Sequence, residues 1–322
     1  MRLLVTGGLG FIGSNFIRFH CSQYPEDLVV NFDAMTYAAN KMNLADISSS
    51  NYRFYQGNIC DRNAISQAID ENHIDLIINF AAESHVDRSI SDPTLFIESN
   101  IKGVSVLTEI AKKKHLRLIQ ISTDEVYGSL PEATFATEDF PLNPSSPYAA
   151  SKAAADLLVI AAQKTHGLKM NIIRSTNNYG PYQNCEKFIP LVITRCLAKK
   201  SFPIYGNGDN RRIWLYVKDN IRALETIIHN GVVGEIYNVG SMSEMSNVEV
   251  SNLIVHRLNV SSHLLDHVAD RLGHDFRYGV DFAKIQKLGW QPATDFTSGI
   301  QDTIDWYKSN YNWWHLDDKR HS

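Results

Sequence analysis

Two carboxylates, Asp124 and Glu125, stand side by side in "QISTDEVYG", residues 120–128, at the end of an apolar run. Like charges this close repel and lose solvent together, so stability alone gives little reason for the pairing. Chemistry gives one, because two close carboxyls split their pKa values and one stays protonated as an acid while the other serves as a base. A regular strand aims successive side chains to opposite faces, so both can serve one site only if the strand has ended there. A second pair lies in "SSPYAASK", where Tyr148 and Lys152 are spaced to share one helix face, with Ser146 as N-cap and Pro147 as the first helical residue. A lysine ammonium beside a phenol favours the tyrosinate, which can take a proton from an alcohol.

These groups need a scaffold that gathers distant segments. Short apolar runs at Leu3–Thr6, Val29–Phe32, Tyr52–Tyr55, Leu76–Phe80, Leu116–Ser122, Met170–Arg174 and Ile236–Val239 are expected as strands, separated by helix-length segments. Apolar runs without strict alternation argue strands covered on both faces, hence an α/β fold with a doubly wound parallel sheet, Rossmann-like. Residues 1–175 are read as this domain, with segments near 213–240 returning to it. After Arg174 the pattern breaks into irregular stretches, with helices expected near Val248–Leu258 and Ser298–Tyr307. Residues 176–322 are read mainly as a smaller mixed α/β region that covers the strand ends and binds substrate. The tail "DDKRHS" is expected to fray.

The first strand runs into "LLVTGGLGFIGSNF", which contains both Gly8-x-Gly10-x-x-Gly13 and Gly7-x-x-Gly10-x-x-Gly13. Such glycines permit a tight turn and bring backbone N–H groups at a helix N-terminus against a pyrophosphate. Asp33 ends the second strand, where a carboxylate accepts from a ribose 2′-hydroxyl and repels a 2′-phosphate, and Ala34 offers no guanidinium to hold one. The cofactor expected is NAD rather than NADP. Its positive nicotinamide would join Lys152 in lowering the Tyr148 phenol from about 10 toward neutrality, the preparation for hydride transfer from an alcohol.

The 322 residues are 44% hydrophobic and 20% charged with a net charge of −4, an ordinary globular composition that gives no support to bulk binding of nucleic acid or acidic membrane. Cys21, Cys60, Cys185 and Cys196 form no CxxC pair and no metal-ligand spacing with histidine, so a reduced, cytoplasmic compartment and no metal are expected. Neither a signal sequence nor a run near the roughly 18 apolar residues of a membrane span is expected.

The chain resembles an extended short-chain dehydrogenase/reductase, most closely the dTDP-glucose 4,6-dehydratase family. The likeness runs through "VTGGLGFIGSNF", "FDAMTYAAN", "NFAAESHVDRSI", "STDEVYGSL", "SPYAASKAAAD", "NNYGPYQNCEKFIP", "RRIWLYVKD" and "DRLGHDFRY", nearly the whole length. It implies C4 oxidation of a nucleotide-diphosphate glucose, elimination of water across C5 and C6, and return of hydride to C6. By this resemblance Glu125 is the base, Asp124 the acid, and Thr123 positions the C4 oxygen beside Tyr148. Around NAD it places Phe11, Ile12, Asp33, Thr36, Asn58, Ile59, Ala81, Ala82, Ser99, Tyr148, Lys152 and Asn178. Around the substrate it places Ser84, Asn177, Glu186, Lys187, Tyr205, Arg212, Asn247, Arg271, His274 and Tyr278. Arg212, Arg271, Lys187 and the amides of Asn177 and Asn247 suit a diphosphate clamp. His85 and Arg88 belong to a family motif with either a structural or a functional reading. The helices near Leu95–Lys113 and Tyr148–Lys164 carry apolar residues at helical spacing, expected to pack on the sheet, and the resemblance implies that they also form a homodimer through a four-helix bundle.

The sequence departs from the family pattern at Asn58 and Ile213, each in place of an aspartate, and at Leu272 and Cys185, each in place of a proline. These changes bear on adenine contacts and on the nucleotide base, for which dTDP is preferred and UDP stays open. A 4-epimerase or decarboxylase of the same superfamily would share NAD, Tyr148 and Lys152 but lack the adjacent acids. An inactive NAD-binding regulatory protein would have no need of the intact catalytic set.

Overall fold

The computed structural model describes residues 1–318, so the last four residues of the tail expected to fray lie outside the described residues. All seven expected strands form: β1 (Arg2–Thr6), β2 (Leu28–Asp33), β3 (Tyr52–Gln56), β4 (Leu76–Asn79), β5 (Arg117–Thr123), β6 (Met170–Ser175) and, after three strands of a second region, β10 (Ile236–Val239). They make one sheet in the order β10-β6-β5-β4-β1-β2-β3, parallel throughout. Successive strand residues feed opposite faces. Leu3 and Val5 pack with Phe16 and Ile17 of helix Phe11–Gln23 on one side. Leu4 packs on the other side with Leu107 and Val159 of helices Val104–Lys114 and Pro147–His166. The double burial explains the unbroken apolar runs. The chain winds outward in opposite directions from β1 and β4, and the crevice at such a reversal, beyond the carboxyl ends of the strands, is where doubly wound sheets bind ligands.

The helix expected over Leu95–Lys113 departs from a regular α-helix. A short α-helical turn, Thr94–Phe96, leads into a π-helical stretch, Ile97–Gly103, before the α-helix Val104–Lys114. Two tertiary constraints meet in the π stretch. Asn100, 1% exposed, is held by Glu83 and Ser151. At Gly103 a Cβ would fall 2.4 Å from the Ile59 side chain. Wider turns of this kind often sit at functional sites.

The remaining strands are β7 (Asn177–Tyr179), β8 (Phe202–Tyr205), β9 (Arg211–Tyr216), β11 (Glu244–Ser246) and β12 (Leu265–Val268). They form a three-stranded sheet, β11-β9-β7, and a two-stranded one, β12-β8. Helices Phe188–Leu197, Asn247–Leu258 and Phe296–Ser309 close over them, around a core that includes Trp214, Ile254, Phe296 and Ile300. Helix Val217–Asn230 and β10 then lead back to the large sheet, where β10 pairs with β6.

Candidate active site

Of the two overlapping glycine patterns, Gly7, Gly10 and Gly13 line the crevice, which measures about 380 Å³. Gly8 packs beneath, where a Cβ would fall 2.3 Å from the Asn31 side chain. Gly7 has φ +69°, and a Cβ there would lie 2.6 Å from the backbone nitrogen of Ala81; one on Gly13 would lie 2.5 Å from the Gly7 carbonyl. The turn therefore tolerates only glycine at these two points. Helix Phe11–Gln23 starts behind Gly10 with no side-chain cap, so its first N–H groups are available to an anion. Asp33, 6% exposed, accepts from the Leu9 and Met35 N–H groups at 2.9 and 2.7 Å. Burial raises its pKa, and these two bonds oppose the rise.

The remaining residues expected around the dinucleotide, Phe11, Ile12, Thr36, Asn58, Ile59, Ala81, Ala82, Ser99, Lys152 and Asn178, line the same crevice. Asn58 turns its Oδ1 to the Cys60 N–H at 2.9 Å. A cradle of glycine N–H groups with a carboxylate at the ribose position fits NAD.

The strand does end where the paired acids require. β5 stops at Thr123, and Asp124–Tyr127 form a single 3₁₀ turn. Thr123 caps it, accepting from the Glu125 N–H at 3.3 Å and donating to Asp124 Oδ1 at 3.3 Å. Helix Pro147–His166 begins as read, its N-cap Ser146 accepting from the Ala149 N–H at 3.1 Å. Tyr148, Asp124, Glu125 and Thr123 thus line one cavity wall. Asp124, 2% exposed, is pushed up to about 8 by burial and then by Glu125, and so keeps its proton at neutral pH. Glu125 is raised by burial, while Arg212, Lys187 and Arg271 pull it down. The same burial and both acids hold the Tyr148 phenol well above its ordinary value, with Thr123 offsetting part. Lys152 donates to the Ile121 carbonyl at 2.6 Å, and burial pushes it down to about 8. Lysine alone does not bring the phenol toward neutrality here; a further positive charge is needed.

A second cavity of about 230 Å³ opens from the first, sharing Glu125, Asn177, Glu186 and Lys187. Ser84 lines the crevice, and Tyr205, Arg212, Asn247, Arg271, His274 and Tyr278 line this second space. Arg212 is anchored by the Arg211, Asp275 and Phe276 carbonyls at 2.8, 3.0 and 3.2 Å, with its guanidinium 4.4 Å from the Tyr278 ring centre. Lys187 donates to the Ser84 carbonyl at 2.7 Å, and burial lowers its pKa. Arg271 pairs with Asp87 at 3.3 Å, and His274 meets Asp270 at 2.7 Å. Glu186 lies 3.8 Å from His85 and 3.3 Å from Arg88, and Arg88 also sits 3.8 Å over the Tyr37 ring. Asp124 Oδ2, Asn177 Oδ1, Asn178 Oδ1, Glu186 Oε1 and Arg271 Nε are buried without protein partners. Buried polar atoms rarely stay so, and their gathering on these walls marks a polar ligand site.

Sequence reasoning left out Glu83, Trp214 and Asp275, which also line these cavities. All three sit inside the motifs above, Glu83 beside Ser84, Asp275 beside His274, and Trp214 two residues beyond Arg212. Asp275 accepts from the Tyr278 hydroxyl at 2.7 Å, and the indole N–H of Trp214 has no protein partner.

The family model described as GDP-mannose 4,6 dehydratase matches residues 4–303. The dTDP-glucose 4,6-dehydratase of Streptomyces niveus is 44% identical over 321 residues, covering 98% of this chain and 95% of the relative. The dTDP-glucose 4,6-dehydratase 1 of Escherichia coli K12 is 46% identical over 341 positions, covering 97% and 94%. The crystal structure of DesIV, a dTDP-glucose 4,6-dehydratase from Streptomyces venezuelae with NAD bound, superposes with a TM-score of 0.95 at 42% identity, covering 98% of this chain and 100% of that one. With the parallel sheet, the glycine cradle and the acid pair at the end of β5, the chain belongs to the dTDP-glucose 4,6-dehydratase family.

Proposed function

We propose that the protein converts dTDP-glucose to its 4-keto-6-deoxy derivative and water. The observation that carries this reading is the acid pair just past the end of β5, where Asp124 and Glu125 line one cavity with Tyr148 and Lys152. NAD is the cofactor, and when bound in the first crevice it would supply the acceptor for the C4 hydride and the donor for its return to C6. Tyr148 removes the C4 hydroxyl proton, and Thr123 positions that oxygen. The ketone acidifies C5–H; Glu125 takes this proton while Asp124 gives its own to the C6 hydroxyl, which departs as water. Glu125 then returns its proton to C5 as C6 is reduced. The residues of the first crevice hold the dinucleotide, Asp33 its ribose; those of the second hold the sugar nucleotide, with Arg212, Arg271 and Lys187 on the diphosphate. Purified protein incubated separately with dTDP-glucose and UDP-glucose is expected to yield, by mass spectrometry, loss of one water from the dTDP sugar. Both sugars unchanged would reject the reaction, and loss of water from the UDP sugar alone would reject the carrier.

Residues 1–175 with the returning 213–240 segment act as the dinucleotide-binding unit, and 176–322 mainly as the substrate-binding one. Leu95 and Ile97 are 60% and 53% exposed, and Leu157 and Leu158 are 56% and 37% exposed. They supply the apolar face of a homodimer built as a four-helix bundle. Leu157→Glu is expected to turn the dimer into a monomer by light scattering; a wild-type mass at micromolar concentration would reject this face. Among the described residues no helix is long and apolar enough to cross a membrane, and the four cysteines form no disulfide, in keeping with the cytoplasm.

A further inference from the structure

One buried ion pair has no part in the reaction as written. Arg174 of β6, 2% exposed, donates from Nε to Asp156, 0% exposed, at 2.9 Å. Asp156 lies one helical turn beyond Lys152, itself 5% exposed, on the helix that carries Tyr148. The two side chains therefore share a face. A guanidinium does not give up its proton in a protein, and a buried one without an anion is strongly unfavourable, so the pair is ionised.

The surroundings fix which charges act. The other end of Arg174 donates to the Tyr127 hydroxyl at 2.8 Å and the Glu138 carbonyl at 3.1 Å, and Tyr127 in turn donates to Asn238 at 2.8 Å. Arg174 is thus held on three sides and spends its remaining charge on Asp156. Burial raises the Asp156 carboxyl; Arg174 opposes this most and Lys152 adds to it, while Asp156 Oδ1 is buried without a protein partner. On Lys152 the one charge that opposes the effect of burial is Asp156, its other partner being the neutral Ile121 carbonyl.

We propose that Asp156 is a positioning residue for C4 oxidation: its carboxylate, held ionised by Arg174, keeps Lys152 charged beside Tyr148. The row of charges runs positive, negative, positive from the crevice into the core, so Arg174 reaches the chemistry through two side chains. The inference rests on the role of Tyr148 proposed above and on the lysine ammonium that the sequence places beside it to favour the tyrosinate.

The test isolates oxidation with dTDP-6-deoxyglucose, whose C6 carries no hydroxyl to leave, so that reaction stops at the ketone with NADH on the enzyme. The initial rate of NADH absorbance is followed against pH in the NAD-loaded wild type and in Asp156→Asn. With NAD bound, its positive charge brings Tyr148 below Lys152, the reverse of their order in the bare site, so in the wild type the rate rises as Tyr148 gives up its proton and falls as Lys152 loses its charge. Asp156→Asn is expected to move the falling limb to lower pH by about tenfold in proton concentration, one pKa unit. A falling limb at the wild-type position would overturn the proposal even if the melting temperature dropped, since a merely structural aspartate lowers the rate at every pH alike. Should Asp156→Asn fail to fold, the double variant Asp156→Asn/Arg174→Met removes both charges together and is expected to move the falling limb in the same direction by a smaller amount, because the cation goes with the anion; an unmoved limb there would overturn the proposal. Absence of NADH from the wild type at all pH values would sink the oxidation itself, and the role of Asp156 with it.

Discussion

Glu125→Gln is expected to bind NAD and dTDP-glucose, oxidise C4, and stop. The substitution keeps the shape of the side chain and leaves Tyr148, Lys152 and Thr123 untouched, so the first step has what it needs. Elimination loses its base, and loss of a positioned base costs about 10²–10⁴-fold. NADH absorbance should persist with a 4-keto-glucose nucleotide on the enzyme, and C5–H should fail to exchange with deuterated solvent. Asp124→Asn should keep that exchange yet lose water slowly. Because Asp124 holds its proton only below about 8, water loss in the wild type should decline as pH rises through that value, and Asp124→Asn should lack this dependence. Exchange at C5 at the wild-type rate in Glu125→Gln would assign the base to another group.

Tyr148→Phe should have the complementary effect. It removes one hydroxyl from a crevice whose other walls stay intact, so affinity for the sugar nucleotide should stay within a few-fold in calorimetry. Formation of the C4 ketone should fall by about 10²–10⁴, with no transient NADH. Burial and the paired acids hold this phenol high, so the rate in the wild type should climb with pH in the range where Tyr148 gives up its proton with NAD bound. A near-normal rate of NADH formation in Tyr148→Phe would transfer the oxidation to a different base.

Much of the frame was legible because the sheet is buried on both faces. The seven apolar runs coincide with the seven strands of the large sheet to within a residue or two, since helices on either side of its inner strands favour apolar residues there, while the edge strand β3 keeps Arg53 and Gln56 exposed. The 3₁₀ turn at Asp124 was legible for a different reason: two adjacent acids could share a site only past the strand end. The π-helical stretch was not legible, because its cause is tertiary. Asn100 bonds to Glu83 and Ser151, far away in sequence. Trp214 and Asp275 were hidden likewise, one within an apolar strand and the other behind Tyr278. The high Tyr148 phenol could not be read from a Tyr-xxx-Lys spacing, which reveals the cation but not the two acids facing the same ring.

The return of β10 to the edge of the large sheet bears on how such enzymes can diversify. The chain leaves after β6, builds strands of the smaller region, and comes back so that Ile236–Val239 pair with Ile172–Ser175. A gene fragment ending after Ser175 would leave β6 as a bare edge, its row of unpaired N–H and C=O groups open to association with other chains. Recombination that swapped the later half wholesale would have to restore a matching β10 as well. The topology therefore favours change of sugar or nucleotide preference by single substitutions on the pocket walls over exchange of whole modules.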